Sequence, residues 1–213
     1  MIVRARSPVV TTLDADDLTV GPRPDADRTL GAFNQNPPGI GLLQLLREDF
    51  DTHDQTLFSP GLWAIAVHRF GNWRMGIRSR WLRAPLSVLY RVLYRLVQIL
   101  FGIKLGYTVR LGRRVRIWHM GGMVLGALSI GDDIHIRQNV TFGLQRLGDP
   151  RWLKPVIVDR CDIGAGAVIV GGIEVGPACV IGANVVLSQS IPAGRIVTVP
   201  KPRIRARSIQ LGR

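Results

Sequence analysis

Hydrophobic and polar positions follow two different rhythms along this chain. From Gly39 the spacing is helical: Leu42, Leu43, Leu45 and Leu46 form an apolar side ahead of the polar, acidic stretch 48–54. Ser59-Pro60 is a helix start signal, and it predicts a second helix over 61–73. The segment 84–103, APLSVLYRVLYRLVQILFGI, is the most hydrophobic in the chain and long enough to cross a bilayer. Arg91 and Arg95 stand near its middle, where each costs roughly 2.5–3.5 kcal/mol to insert. Four apart, they share one helix face, so the segment predicts an amphipathic helix on an anionic membrane surface with its cations toward the headgroups. The alternative is a helix packed on the protein's own core or on a neighbouring subunit.

Beyond Leu111 the rhythm changes. Val124, Ile130, Ile136 and Phe142 recur every six residues, with Leu128, Ile134 and Val140 four after the first three. The register returns as Ile157, Ile163, Ile169, Val175, Ile181 and Leu187, with Cys161, Ala167, Ile173, Cys179, Val185 and Ile191 in the second role. Neither a 3.6-residue nor a simple two-residue period produces this. Short parallel strands wound as a solenoid that turns a corner every six residues do. Asp133, Asn139, Gly166, Gly172 and Asn184 fall at the corners, as residue types that accept a left-handed backbone at low cost. Periodicity does not set the handedness of the coil, and the general rule for parallel crossovers is right-handed.

One stretch breaks the hexads. Residues 143–156, GLQRLGDPRWLKPV, are too polar and too rich in turn residues to continue the coil, so they predict a projecting loop of the kind that carries binding surfaces in solenoids. The expected organisation is a flexible leader over 1–38, a helical region over 39–104, a parallel β-helix over 105–200 and a basic tail over 201–213.

Composition adds a charge imbalance. Of 213 residues, 28 are Lys or Arg and 15 Asp or Glu, a formal charge of +13. Arg74, Arg78, Arg80, Arg83, Arg91 and Arg95 follow one another without an acid between them, and 195–213 is basic as well. No zinc-finger spacing, RNA-binding sheet signature or basic-region heptad accompanies these cations, which argues against nucleic acid and for anionic lipid or a phosphorylated co-substrate. Cys161 and Cys179 are the only cysteines. They lie three hexads apart at inward positions, so they read as stacked core thiols in a reducing compartment. The first thirty residues contain Asp14, Asp16 and Asp17 and no apolar stretch of signal-peptide type, which predicts a cytoplasmic protein, peripheral at the inner membrane face if the basic helix meets lipid.

The hexads, NVTFG before the loop, IGAGAVIVGGIEVG after it, and the upstream LLREDF and PGLWAIAVHRFGNW together resemble the serine O-acetyltransferase family, and more closely its exopolysaccharide and colanic-acid acetyltransferase relatives. The resemblance implies a mainly β fold, a left-handed parallel β-helix behind an α-helical N-terminal region. It also implies a homotrimer with active sites between subunits, and acetyl transfer from acetyl-CoA to a hydroxyl without a metal. His119 stands at the position of the general base, a role suited to an imidazole with an ordinary pKa near 6.5. Gly164, Ala165 and Ala183 match positions that meet the pantetheine arm, Gly143 matches a glycine beside the thioester, and Lys201 falls where the cofactor's phosphate is met.

The chain also departs from the family pattern. Trp118 replaces the Asp before the catalytic His, Lys154 the second His, Leu153 an Arg, Lys104 the acid that orients the base, and Thr198 a Gly. A Trp where a counter-ion for an ammonium is expected favours a sugar ring. The expected acceptor is therefore a small-molecule or lipid-linked sugar hydroxyl of exopolysaccharide synthesis, with serine, and a non-catalytic trimeric scaffold, as alternatives. A carbonic anhydrase on this architecture needs three convergent imidazoles, which the spacing of His119 and His135 does not provide. His53, His68 and His135 read as packing or surface residues.

Overall fold

In the computed structural model, which describes residues 31–204, three helices lead into the coil. Most of the leader expected over 1–38 and the end of the basic tail lie outside the described residues. Helix α1 (Leu42–Thr52) buries Leu45 and Asp49. Helix α2 (Pro60–Trp73) opens with Pro60 at its first turn, where a missing N–H costs nothing, and is buried along most of its length. Two glycines in α2 permit its close packing. A side chain on Gly61 would meet the Ile117 carbonyl at 2.4 Å, and one on Gly71 the Tyr90 ring at 2.4 Å. Helix α3 (Arg80–Phe101) begins four residues before the expected start, behind Ser79, and ends on Gly102, whose φ of 65° suits the residue without a Cβ. It packs on α2, with the Tyr90 ring against Gly71, and its buried residues are Tyr90 and Val97.

The coil has three flat faces built wholly of parallel pairs. The first face holds β1 (Ile103–Lys104), β4 (Met123–Leu125), β7 (Thr141–Gly143), β10 (Val168–Val170) and β13 (Val186–Leu187). The second holds β2 (Arg110–Leu111), β5 (Ser129–Ile130), β8 (Val156–Ile157) and β11 (Glu174–Val175), continued by the bridge from Val175 to Ile191. The third holds β3 (Arg116–Ile117), β6 (His135–Ile136), β9 (Asp162–Ile163), β12 (Val180–Ile181) and β14 (Ile196–Val197). One residue of nearly every strand points into the prism. Ile117, Ile136, Ile163 and Ile181 stack on the third face, and Leu125, Phe142, Ile169 and Leu187 on the first, all buried.

Asp133, Asn139, Gly166 and Asn184 take the expected positive φ. Gly172 does not; the left-handed residue at that corner is its neighbour Gly171, at φ 92°. Two further expectations are corrected. The coil begins at Ile103, inside the range assigned to helix, because Leu105, Leu111 and Ile117 already keep the six-residue rule, with Val109 and Val115 in the second role. Val124 and Leu128 are not inward; Leu125 and Ala127 are, and Val124 faces out beside Lys104. Inward Ile117 and Leu125 are eight residues apart where regular turns have six, as from Ile136 to Phe142, and in a strand the next residue always faces the opposite side.

The interruption joins β7 to β8 and takes the place of a corner between the first and second faces. Cys161 and Cys179 are free, buried and in adjacent turns. Burial raises the Cys161 thiol to about 11, so it packs as a neutral group.

Candidate active site

His119 sits on the edge between the third and first faces, in the wide corner between β3 and β4. Gly121 and Gly122 make that corner possible with φ values of 102° and 58°. The Gly121 N–H donates to the Phe101 carbonyl at 2.8 Å, and its carbonyl accepts from Asn139 N–H at 3.2 Å. The corner is thus tied both to the end of α3 and to the next turn. His119 is exposed, and among the described residues no side chain hydrogen-bonds to its ring. Lys104, at the expected acid position, points outward on β1 opposite Val124, so no carboxylate there orients the imidazole.

The residues before His119 are firmly held. Ile117 N–H donates to His53 Nε2 at 3.3 Å, while His53 Nδ1 lies 2.7 Å from the Asp49 carbonyl and donates to it. These two bonds fix the His53 tautomer, and burial lowers its pKa, so the ring is a neutral strut between α1 and β3. Asp49 in turn pairs with Arg69 at 3.0 Å, both side chains fully buried, and Arg69 Nη1 donates to the Leu111 carbonyl at 2.9 Å. Burial pushes the Asp49 carboxyl up and the Arg69 charge opposes it.

Trp118 is not a free platform. The Arg116 guanidinium covers one face of the indole, 3.7 Å from its centre, and Trp118 Nε1–H donates to His135 Nδ1 at 3.0 Å. Arg116 also forms a two-point ion pair with Asp54, which holds the Asp54 carboxyl below the usual range. His53, Asp54, Ser59, Arg116 and Trp118 line a hollow of about 240 Å³ beside the His119 corner. Asp54 was invisible as a site residue in the sequence because it lies in a turn of the helical region, far along the chain from Arg116.

The positions expected to meet the cofactor separate into two groups. Ala165 and Ala183 occupy the same edge as His119, in later turns, with Asn184 N–H donating to the Ala165 carbonyl at 2.9 Å. Their short side chains leave that edge low, and exposed Lys201 follows β14 past its end. Gly164 belongs to the packing instead: it is buried, and a Cβ there would lie 2.6 Å from Ala183 N. Gly143 contrasts with it, because a Cβ there would meet nothing within 4 Å. The chain does not itself require that glycine, which leaves room for a molecule approaching from outside. Gly143 and Lys154 nonetheless lie at the edge between the first and second faces, a full face away from His119. Within one chain the two groups do not converge.

No family model matches the chain. It is 34% identical over 140 residues to a serine acetyltransferase of Mycobacterium tuberculosis, covering 65% of this chain and 57% of that one. It is 31% identical over 162 residues to the serine acetyltransferase of Bacillus pumilus, covering 70% of each. The chain thus spans between about half and 70% of the length of the curated relatives it matches. A Neisseria gonorrhoeae serine acetyltransferase crystallised with serine superimposes with a TM-score of 0.59 at 26% identity, over 76% of this chain and 68% of that one. An Entamoeba histolytica serine acetyltransferase, isoform 3, in complex with cysteine, gives 0.62 at 24% identity over 80% and 62%. The coil shares the left-handed winding of these structures, against the general rule for parallel crossovers. Sequence relatedness and this shared architecture together place the chain in the serine acetyltransferase family of hexapeptide-repeat acyltransferases.

Proposed function

We propose that this protein is an acetyl-CoA-dependent O-acetyltransferase with His119 as general base and the hydroxyl of L-serine as acceptor. The observation that carries the reading is the wide corner, which holds an exposed imidazole on the same edge as the small residues Ala165 and Ala183. The acceptor oxygen attacks the thioester carbonyl while His119 takes its proton. The tetrahedral adduct then expels the CoA thiolate, which recovers that proton from the imidazolium.

Serine is supported first by the names of the relatives, serine acetyltransferase in each case. Its second support is the Asp54–Arg116 pair at the hollow, a carboxylate and a guanidinium matched to an ammonium and a carboxylate. Asp54 thereby offers the counter-ion that Trp118 lacks. A second reading, a sugar hydroxyl in exopolysaccharide synthesis, rests on that same Trp118, an aromatic side chain at the mouth of the hollow. Acetyl-CoA as donor suits the cytoplasmic location expected from the sequence.

The split of Gly143 and Lys154 from His119 supports a homotrimer, in which one copy's first-to-second edge faces the next copy's third-to-first edge. Outward apolar residues late in the coil, Val186 at 71% exposure and Ile196 at 72%, give such copies a surface to bury.

The test is release of CoA thiol with L-serine and with sugar acceptors, preceded by calorimetric titration of acetyl-CoA. Wild type turns over with serine, and His119→Ala lowers kcat by about 10²–10⁴. Asp54→Asn raises the KM for serine with little effect on the KM for acetyl-CoA. Faster turnover with a sugar transfers the assignment to the second reading, and no binding of acetyl-CoA leaves a scaffold.

A further inference from the structure

A second site lies away from the His119 corner, where α3 crosses the start of the coil. Arg74, Arg83, Arg91 and Arg95, with Tyr90, Tyr94 and Tyr107, line a cleft of about 600 Å³. No Asp or Glu occurs anywhere between Asp54 and Asp132, so the chain around this cleft brings cations without local counter-ions. Arg74 is the telling residue. It is only 5% exposed and sits between the rings of Tyr90 and Tyr107, 4.6 and 4.5 Å from their centres. Its Nη1 donates to Ser87 Oγ at 3.0 Å, and its buried Nε has no partner. Among the described residues no carboxylate pairs with Arg74, Arg83, Arg91 or Arg95. A guanidinium held by aromatic rings, lining a cleft of like charges with no carboxylate partner, is arranged for an anion with several acceptor oxygens.

The other side of the same helix supplies the second half. Trp81, Leu82, Val88, Leu89, Val92, Leu96, Ile99 and Leu100 are all exposed, and at helical spacing they form one continuous arc opposite the Tyr90–Val97 packing face. Going round the helix, the packing face gives way to the cleft, then to Arg91 and Arg95, then to this arc. By length and composition α3 could cross a bilayer. The charges near its middle and its packing on α2 point instead to a helix lying in the interface. With the arc immersed, Arg91 and Arg95 stand at headgroup depth and the cleft opens just above them.

We propose that this cleft binds the phosphodiester of an anionic phospholipid, with the apolar arc of α3 set among the acyl chains, so that the protein works at a membrane surface. The proposal is independent of acetyl transfer and its test uses no turnover. The full chain is floated with vesicles of phosphatidylcholine alone and with phosphatidylglycerol added, and glycerol phosphate is titrated separately by calorimetry. Binding is expected to the anionic vesicles and to weaken as salt rises. Arg91→Gln and Arg95→Gln should each weaken it about fivefold, and Ile99→Asp should abolish it with the fold intact by circular dichroism. Arg83→Gln tests the cleft without disturbing the buried Arg74 stack, and should weaken binding comparably. Three results overturn the proposal: flotation indifferent to these changes, glycerol phosphate binding without vesicle binding, or an assembly in sedimentation that Ile99→Asp dissociates while no vesicle is bound. The last would make a second copy the occupant of the arc.

Discussion

At the residue scale, two glycines from the motifs on either side of the loop have opposite reasons for being glycine. Gly164 is required by the adjacent turn, since a Cβ would press on Ala183 N at 2.6 Å. Gly143 has open space where its Cβ would be. Gly164→Ala should therefore lower the thermal midpoint by several degrees, as overpacking costs about 1–3 kcal/mol. Gly143→Ala should leave the midpoint within a degree or so and raise the KM for acetyl-CoA, both read on the same preparations. The sequence shows both positions as Gly, and only the neighbouring turn distinguishes them.

Histidine gives a second contrast. His68 Nε2–H donates to the Val109 carbonyl at 2.9 Å, and full burial drives its pKa down to about 3, with the Arg69 charge adding to the effect. The unfolded chain takes up a proton near 6.5 and the folded one near 3. The contribution of neutral His68 is thus complete above about pH 6.5 and is lost as pH falls toward 3, by at most about 1.4 kcal/mol per unit. His68→Gln keeps a donor for the carbonyl without the titration. Urea midpoints measured from pH 7.5 to pH 4.5 should fall less steeply in this variant than in wild type, and equal slopes would count against the assignment.

At the element scale, the hexads were legible because every inward strand position needs an aliphatic side chain and every corner needs a tolerant backbone. The first turn was harder to read. Leu105, Leu111 and Ile117 obey the rule, but the wide corner at 118–122 shifts the phase by two residues and puts Leu125 inward in place of Val124. The same shift puts His119 on an edge. The irregularity that hid the register is the feature that exposes the proposed base.

On the edge between the second and third faces, only Asp133 could be read as a corner from composition. Arg114, Arg160 and Ala178 adopt positive φ with side chains that do not favour it. Arg114 is compensated by its two-point pair with Asp133 in the adjacent turn. Ala178 has no polar side-chain atom to offer, so its conformation carries an uncompensated cost of about 1–2 kcal/mol. Ala178→Gly removes that cost and adds backbone entropy to the unfolded chain, leaving a net gain of about 0.5–1 kcal/mol. The expected rise in midpoint is a few degrees by calorimetry, whereas Asn139→Val at the matching left-handed position should lower it.

At the scale of the whole molecule, family membership, coil and candidate base could be read along one dimension, but the site could not, because it depends on which edges of the prism meet. His119, Ala165 and Ala183 share one edge while Gly143 and Lys154 belong to another, and no motif records the distance across a face. If the proposed site closes between copies, two damaged chains can restore each other. His119→Ala removes the base from one edge, and Gly143→Trp fills the open space on the other. Each variant alone should be nearly inactive. Unfolded together in equal amounts and refolded, random assembly gives sites with both intact edges in about one case in four, so about a quarter of wild-type turnover should return. A site contained in a single chain predicts no recovery at any mixing ratio, because every chain then carries one lesion. Recovery that follows the product of the two variants' fractions as the ratio is varied, with its maximum at equal amounts, would assign the two edges to different copies.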